Sequence, residues 1–219
     1  MLNRRTKPFS FLFLSDGKNN FEKIKNMSLQ TVTEQGDEYY TPKYIVEILI
    51  PFMRNKGFKT IWCPCDKEWS EYVKVFKNEG FNVIHSHIDN GQDFLNYEPT
   101  EQYDAIITNP PFSIKNKIFE RCIELNKPFC LLMSATSIQS ASFIKIISKA
   151  KDFNVMMFDK RISYSGDRPP FPSWYYAGGL FEKTEFYIYK QDPKVLFKAW
   201  EEKRKEKDLT QKTLFGDGM

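Results

Sequence analysis

Asn109, Pro110, Pro111 and Phe112 follow directly on the apolar run Ala105, Ile106, Ile107 and Thr108. The run reads as a strand covered on both faces. Two consecutive prolines cannot continue a ladder, because they have no N–H to donate. A proline also keeps the residue before it out of helical space. The segment is therefore a stiff corner presenting one amide side chain, outward-facing carbonyls and one aromatic ring. The exocyclic amine of adenine is a poor nucleophile, since its lone pair is delocalised into the ring. Two acceptors, the Asn109 side-chain oxygen and the Pro110 carbonyl, can each take one of its N–H bonds and hold the nitrogen for in-line attack on a methyl carbon. Asn accepts without a charge to desolvate. Phe112 offers a face for an extruded base, a contact worth about 1–3 kcal/mol per base, which offsets much of the few kcal/mol that flipping costs. The plainer alternative is a proline-rich loop after a core strand.

Such a corner needs a sheet behind it, and the chain supplies the pattern. Residues 42–50 read as a helix with Thr41 as N-cap, Pro42 at the first position, and Ile45, Ile48 and Leu49 on one face. Pro51 ends or kinks it. Strands are expected at 59–63, 82–88, 104–109, 129–133, 154–158 and 185–190, with helices at 68–78, 115–125 and 140–149. This alternation implies an α/β fold, a mostly parallel sheet with helices on both faces. Ligands of such sheets sit at the carboxyl ends of the strands, near the switch in strand order. Pro64 and Asn109 both fall there. Residues 163–180 form an aromatic, proline-rich loop on the side where substrate would enter.

The chain has 219 residues, 20 of them Phe, and a formal net charge of +4. One substantial core is expected, rather than disorder. The positive excess sits in residues 1–30 and 193–219, so the middle is slightly acidic and no strongly basic nucleic-acid clamp is present. No apolar run reaches the ~18 residues of a membrane-spanning helix. Arg4 and Arg5 before the apolar 9–14 run imitate a signal peptide only faintly, with no small-residue cleavage site, and a cytoplasmic protein, in a bacterium or a phage-infected cell, is expected. Met27 is an alternative start. Cys63, Cys65, Cys122 and Cys130 are expected as buried thiols. A lone Cys-x-Cys with His85 and His87 is weak as a zinc site, and the chemistry requires no metal.

The 104–112 stretch resembles the catalytic motif of S-adenosylmethionine-dependent N6-adenine methyltransferases, Asp/Asn/Ser-Pro-Pro-aromatic. Asp37 to Pro42, with Tyr40, Thr41 and Pro42, is similar to the Tyr-x-Thr-Pro segment that lines the donor pocket of many of these enzymes. The resemblance spans about residues 35–190 and looks closest to small phage-type enzymes. It implies a Rossmann-like class I methyltransferase fold, a seven-stranded sheet with one antiparallel strand, and a domain at 35–191 between an extension at 1–34 and a charged tail at 192–219. It implies S-adenosylmethionine as cofactor and DNA, with a flipped adenine, as substrate. Asn109, Pro110, Pro111 and Phe112 would be catalytic. Phe112, Lys115, Phe171 and Trp174 would meet the substrate, the last two from a loop that could equally be a lid over apolar surface. Tyr40, Thr41, Pro42, Cys63, Pro64, Asp66, His87, Asp89, Asp93 and Phe94 would line the cofactor. The chain departs from the family after the first strand, where residues 62–70 contain no glycine, and at the end of the second, where His87 stands in place of a carboxylate. Asp66 or Glu68 would then take the amino group of the donor, and Asp89 its ribose.

The tail, 192–208, reads as a charged amphipathic helix in which Glu201 and Lys205 pair at i,i+4. Beyond it, Gln211, Leu214 and Phe215 resemble, in a loose tail, the peptide by which bacterial proteins dock on the sliding clamp; folding back onto the domain is the alternative. Two other functions stay open. The same corner methylates adenine in RNA or a glutamine amide in protein. A methyltransferase-like protein without activity could bind DNA or block a defence factor, and the glycine-free turn favours that.

Overall fold

The computed structural model describes residues 40–164 and 171–215, with side chains in the last helix as far as Glu206. The extension at 1–34, residues 37–39 and residues 165–170 lie outside the described residues. Seven strands, β1 (Thr60–Pro64), β2 (Asn82–Ser86), β3 (Ala105–Thr108), β4 (Phe129–Ser134), β5 (Phe153–Phe158), β6 (Ser173–Gly178) and β7 (Glu185–Tyr187), form one sheet in the order β2-β1-β3-β4-β6-β5-β7. Only β6 runs against the others. This is a Rossmann-like, mostly parallel sheet with one antiparallel strand, as expected. Strand order reverses between β1 and β3, and their carboxyl ends form the crevice where such sheets bind ligands.

Helices cover both faces because the strands are apolar on both. Ile61, Cys63, Ala105, Ile107, Cys130, Leu132, Tyr175 and Ala177 point to one core. It is closed by α1 (Lys43–Glu47), α2 (Ile50–Asn55) and α3 (Glu71–Asn78). Their neighbours Trp62, Ile106, Leu131, Met133 and Tyr176 point the other way, onto α4 (Lys115–Glu124) and α5 (Ala141–Ile147). The period of two places the whole sheet. The last helix is α6 (Pro193–Phe215).

Several boundaries move from expectation for local reasons. The helix expected at 42–50 is two helices: α1 stops at Glu47, and α2 restarts at Ile50 with Pro51 in its first turn, where a missing N–H costs nothing. The cap of α1 falls on Pro42 and has no side-chain bond, so Thr41 is not an N-cap. α3 begins at Glu71 rather than 68, because the Ser70 hydroxyl accepts the Val73 N–H at 3.2 Å and fixes the first turn. β2 ends at Ser86, where His87 Nδ1 accepts the Asp89 N–H at 3.1 Å and opens a 3-10 turn, Ile88–Asn90. Residues 173–178, expected within a loop, are β6, an interior strand whose Tyr175 and Tyr176 are fully buried. The loose tail expected for clamp docking is helical backbone through Phe215. No helix among the described residues is long and apolar enough to cross a membrane.

Gly178 ends β6 opposite Phe129 on one side and Phe153 on the other. A Cβ there would lie 2.6 Å from Phe129 Cε1, inside a packed ring. Gly178→Ala is expected to cost about 1–3 kcal/mol in urea unfolding, and markedly less in a Phe129→Leu background. Equal costs in the two backgrounds would refute the contact as the cause.

Candidate active site

The carboxyl ends of β1 and β3 are tied by buried polar groups. Thr108, the last residue of β3, is fully buried, and its Oγ1 lies 2.7 Å from Asp66 Oδ2 while also contacting the Pro64 carbonyl. The Asp66 N–H donates to the Ser86 carbonyl at 3.1 Å, which adds the end of β2. The Ser70 hydroxyl bonds to the Asp66 carboxyl from the start of α3. Asp66 is only 7% exposed, and burial pushes its carboxyl up to about 7 against the lowering effect of the Thr108 and Ser70 hydrogen bonds.

Between Pro64 and Asp66 stands Cys65 with φ +64°, in the left-handed region. That conformation is uncommon for a residue with a Cβ and is held where surroundings over-determine it. The chain turns after β1 without the glycine that would ordinarily supply such a φ. Burial, then Asp66 and Asp93, push the Cys65 thiol up to about 12.

Further along this turn the charges pair off. Lys67 Nζ meets Asp89 at 2.7 Å, joining the β1 turn to the turn after β2 and holding the exposed Asp89 carboxyl below its ordinary range. Glu68 is bound by Lys77 and by His85 Nε2, each at 2.7 Å. Tyr40 and Trp69, both about half exposed, meet edge to face at 4.8 Å. Thr41 is buried beside the Tyr72 hydroxyl, and its Oγ1 makes no hydrogen bond of good geometry among the described residues. Tyr72 shares a hydrogen bond of 3.1 Å with the Tyr175 hydroxyl, which donates to the Ile45 carbonyl at 3.3 Å.

Not every residue expected at the cofactor reaches this crevice with its side chain. Cys63 is fully buried in the core under α1 to α3. Phe94 is buried on the opposite face against Trp62, ring centroids 5.2 Å apart. Pro42 is buried at the start of α1. Asp93 closes its own turn, accepting the Leu95 N–H and the Asn96 amide at 3.1 Å each. Pro64, Asp66, His87 and Asp89 do cluster at the strand ends, on or just after β1 and β2.

The residues expected at the substrate assemble more completely. Asn109 is half-buried with its side-chain oxygen inside the corner, Pro110 is buried, and Pro111 is extended enough to start the 3-10 turn Phe112–Ile114. Lys115 then opens α4. The Phe112 ring meets Phe171 at 5.1 Å and 64°. Because β6 is antiparallel, its first residues lie at the carboxyl end of β4: Ser173 pairs with Ser134, Trp174 with Met133, and the Ala135 N–H donates to Pro172 at 2.8 Å. Trp174 is half-buried against the second core. Asn109, Phe112, Phe171 and Trp174 therefore belong to the same end of the sheet. Sequence reasoning missed Ser70, Thr108 and Trp69; the only signal was a lone hydroxyl just before Asn109 and another at a helix start.

No family model matches the chain, and no curated protein matches its sequence. Among solved structures it is similar to a protein described as a modification subunit of a type I restriction enzyme from Vibrio vulnificus YJ016, at 11% identity and TM-score 0.46, covering 83% of this chain and 54% of that one. It is also similar to a protein described as a class I S-adenosylmethionine-dependent methyltransferase from Listeria monocytogenes, at 12% identity and TM-score 0.48, covering 84% of this chain and 77% of that one. The chain spans about half the length of the Vibrio subunit.

The raised Asp66 carboxyl makes a stability prediction with a definite sign. In the unfolded chain it titrates near 4, in the fold at about 7. Its contribution is fully present below pH 4 and is lost as pH rises through 7, because only the unfolded state ionises freely in between. Relative to wild type, Asp66→Asn should gain on the order of 4 kcal/mol between pH 4 and pH 8, read as the pH dependence of the difference in urea unfolding free energy. A difference that stays flat across this range would contradict a buried neutral acid.

Proposed function

We propose that this chain transfers a methyl group from S-adenosylmethionine to the N6 amino group of an adenine in DNA. One observation carries the proposal: Asn109 stands one residue past a hydroxyl that is hydrogen-bonded to the turn after β1, at the reversal of strand order. Donor side and acceptor side are thus adjacent ends of neighbouring strands.

The residues present fit such a donor. Asp66 is a buried carboxyl that a primary ammonium would satisfy. Asp89 stands in the turn after β2, where ribose hydroxyls need an acceptor, and its exposed pair with Lys67 is cheap to give up. Tyr40 and Trp69 offer two half-exposed rings, and Lys67, the partner of Asp89, lies 6.0 Å from the Trp69 ring centroid. When bound, the sulfonium supplies an electrophilic methyl carbon. Asn109 Oδ1 and the Pro110 carbonyl accept the two N–H bonds of the adenine amine, fix its lone pair toward that carbon, and leave the displaced proton to pass to solvent. Phe112 offers the face on which the base stacks, with Phe171 packed edge-on against that ring. Trp174, at the same end of the sheet, would meet the base, and Lys115 at the start of α4 would take the nucleic-acid phosphates. The left-handed Cys65 supplies the backbone turn that a glycine would give, which weakens the case for a protein that has lost its donor.

Incubation with methyl-labelled S-adenosylmethionine and separate DNA, RNA and protein pools should label DNA, with N6-methyladenine recovered on digestion. Asn109→Ala should lower the rate at least 100-fold with the unfolding midpoint unchanged. Label in RNA or protein alone would reassign the substrate, and full activity in Asn109→Ala would refute the mechanism.

A further inference from the structure

Thr108 Oγ1 carries one proton and lies against two oxygens, the Pro64 carbonyl and Asp66 Oδ2. A carbonyl can only accept, and so can an ionised carboxylate. One hydroxyl proton cannot serve both. A neutral carboxyl resolves the count: Asp66 donates to Thr108, and Thr108 donates to Pro64. The surroundings agree with a proton on Asp66. Around it stand the thiols of Cys63 from β1 and Cys65 from the turn after it, the phenol of Tyr72 and the hydroxyl of Ser70 from the start of α3, and Thr108 from β3. Asp93 faces Cys65 beyond them. The nearby ions pair elsewhere: Lys67 with Asp89, and Lys77 and His85 with Glu68, while His87 accepts the Asp89 N–H.

We propose that Asp66 is a proton-bearing positioning residue that couples the charge of the bound donor to the Asn109 corner. This rests on the donor assignment made under Proposed function. When the primary ammonium of an amino-acid-bearing donor meets Asp66, the carboxyl releases its proton to solvent and the carboxylate pairs with the ammonium. The Thr108 hydroxyl, no longer receiving a proton from Asp66, turns its own from the Pro64 carbonyl to the carboxylate. Thr108 is bonded directly to Asn109, so the change at Asp66 arrives one peptide bond from the group that orients the amine. No bond between heavy atoms forms or breaks, and the charge lost by Asp66 leaves as one proton.

Calorimetry at pH 6 in buffers of different ionisation heat counts the protons released on binding. With the carboxyl at about 7 in the fold, S-adenosylmethionine should release about 0.9 proton per molecule bound at pH 6, and its affinity should rise about 16-fold from pH 5.5 to pH 7. Methylthioadenosine, which keeps the nucleoside and sulfur but lacks the ammonium, should bind with no release and no pH dependence. Asp66→Asn should abolish release for S-adenosylmethionine. Thr108→Val should keep donor affinity and proton release while lowering the turnover rate, and Thr108→Ser should restore that rate. Donor binding by wild type without proton release would overturn the proposal and leave the donor assignment standing. Absence of S-adenosylmethionine binding at millimolar concentration would overturn both, and equal turnover in Thr108→Val and wild type would overturn the coupling to Asn109.

Discussion

The buried contact of Asp66, Thr108 and Pro64 is the constraint from which the rest of the crevice follows. Neighbouring parallel strands are spaced by their ladder, but nothing in a ladder fixes how their ends are finished. Here a side chain from the β1 turn reaches across to the last residue of β3, and the adjoining backbone bonds to the end of β2. Three strand ends and the first turn of α3 become one unit. An acid so placed is expensive, since burial penalises its charge more than its hydrogen bonds return. A Leu or Val would cost less there. Perturbed groups of this kind concentrate where ligands bind, and this one lies at the switch in strand order.

On the other side of Asn109 the constraint is steric. Pro110 and Pro111 leave the backbone few conformations, and the 3-10 turn that follows sets the Phe112 ring against Phe171. Phe171 reaches that ring because β6 runs against the sheet. A parallel strand at that place would begin at the far end, with its entry loop remote from Asn109. The reversed strand starts beside the end of β4 and is pinned by the Ala135 to Pro172 hydrogen bond. The antiparallel strand is thus what delivers Phe171 and Trp174 to the rim beside Asn109.

Much of this was legible from residue order. The strand before Asn109 declared itself by Ala105, Ile106 and Ile107, and the two prolines declared its end. The aromatic loop was read as lying on the side where substrate would enter, but the packing of Phe171 on Phe112 was not foreseen. β6 was hidden because its residues, Trp174 to Gly178, continue an aromatic, proline-rich stretch with no polar alternation; an interior strand buried on both faces has none to show. The split of α1 from α2 depended on Pro51 resetting the helix, which was foreseen as a break but not as a restart. Cys63 and Phe94 looked like pocket residues by their place in motifs, yet strand alternation turns Cys63 to the same core as Ile61, and Trp62 offers Phe94 an apolar surface. Cys65 carried no signal, because a left-handed residue with a side chain is a product of tertiary surroundings rather than of local preference.

The stiffness of the Asn-Pro-Pro corner bears on how it can be influenced. Two fixed prolines and a fully buried strand end leave little room for backbone movement. A hydroxyl rotor is the softest degree of freedom present, since turning an O–H about its C–O bond displaces no heavy atom. Thr108 has that rotor, and it stands between a carbonyl of the β1 turn and a titratable carboxyl. Turning that O–H would move a proton between the β1 turn and the carboxyl while the heavy atoms of the Asn109 corner stay fixed. A Ser in place of Thr108 keeps the rotor, whereas Val keeps the shape and removes it, so the two substitutions separate proton relay from packing at a site where both are otherwise entangled.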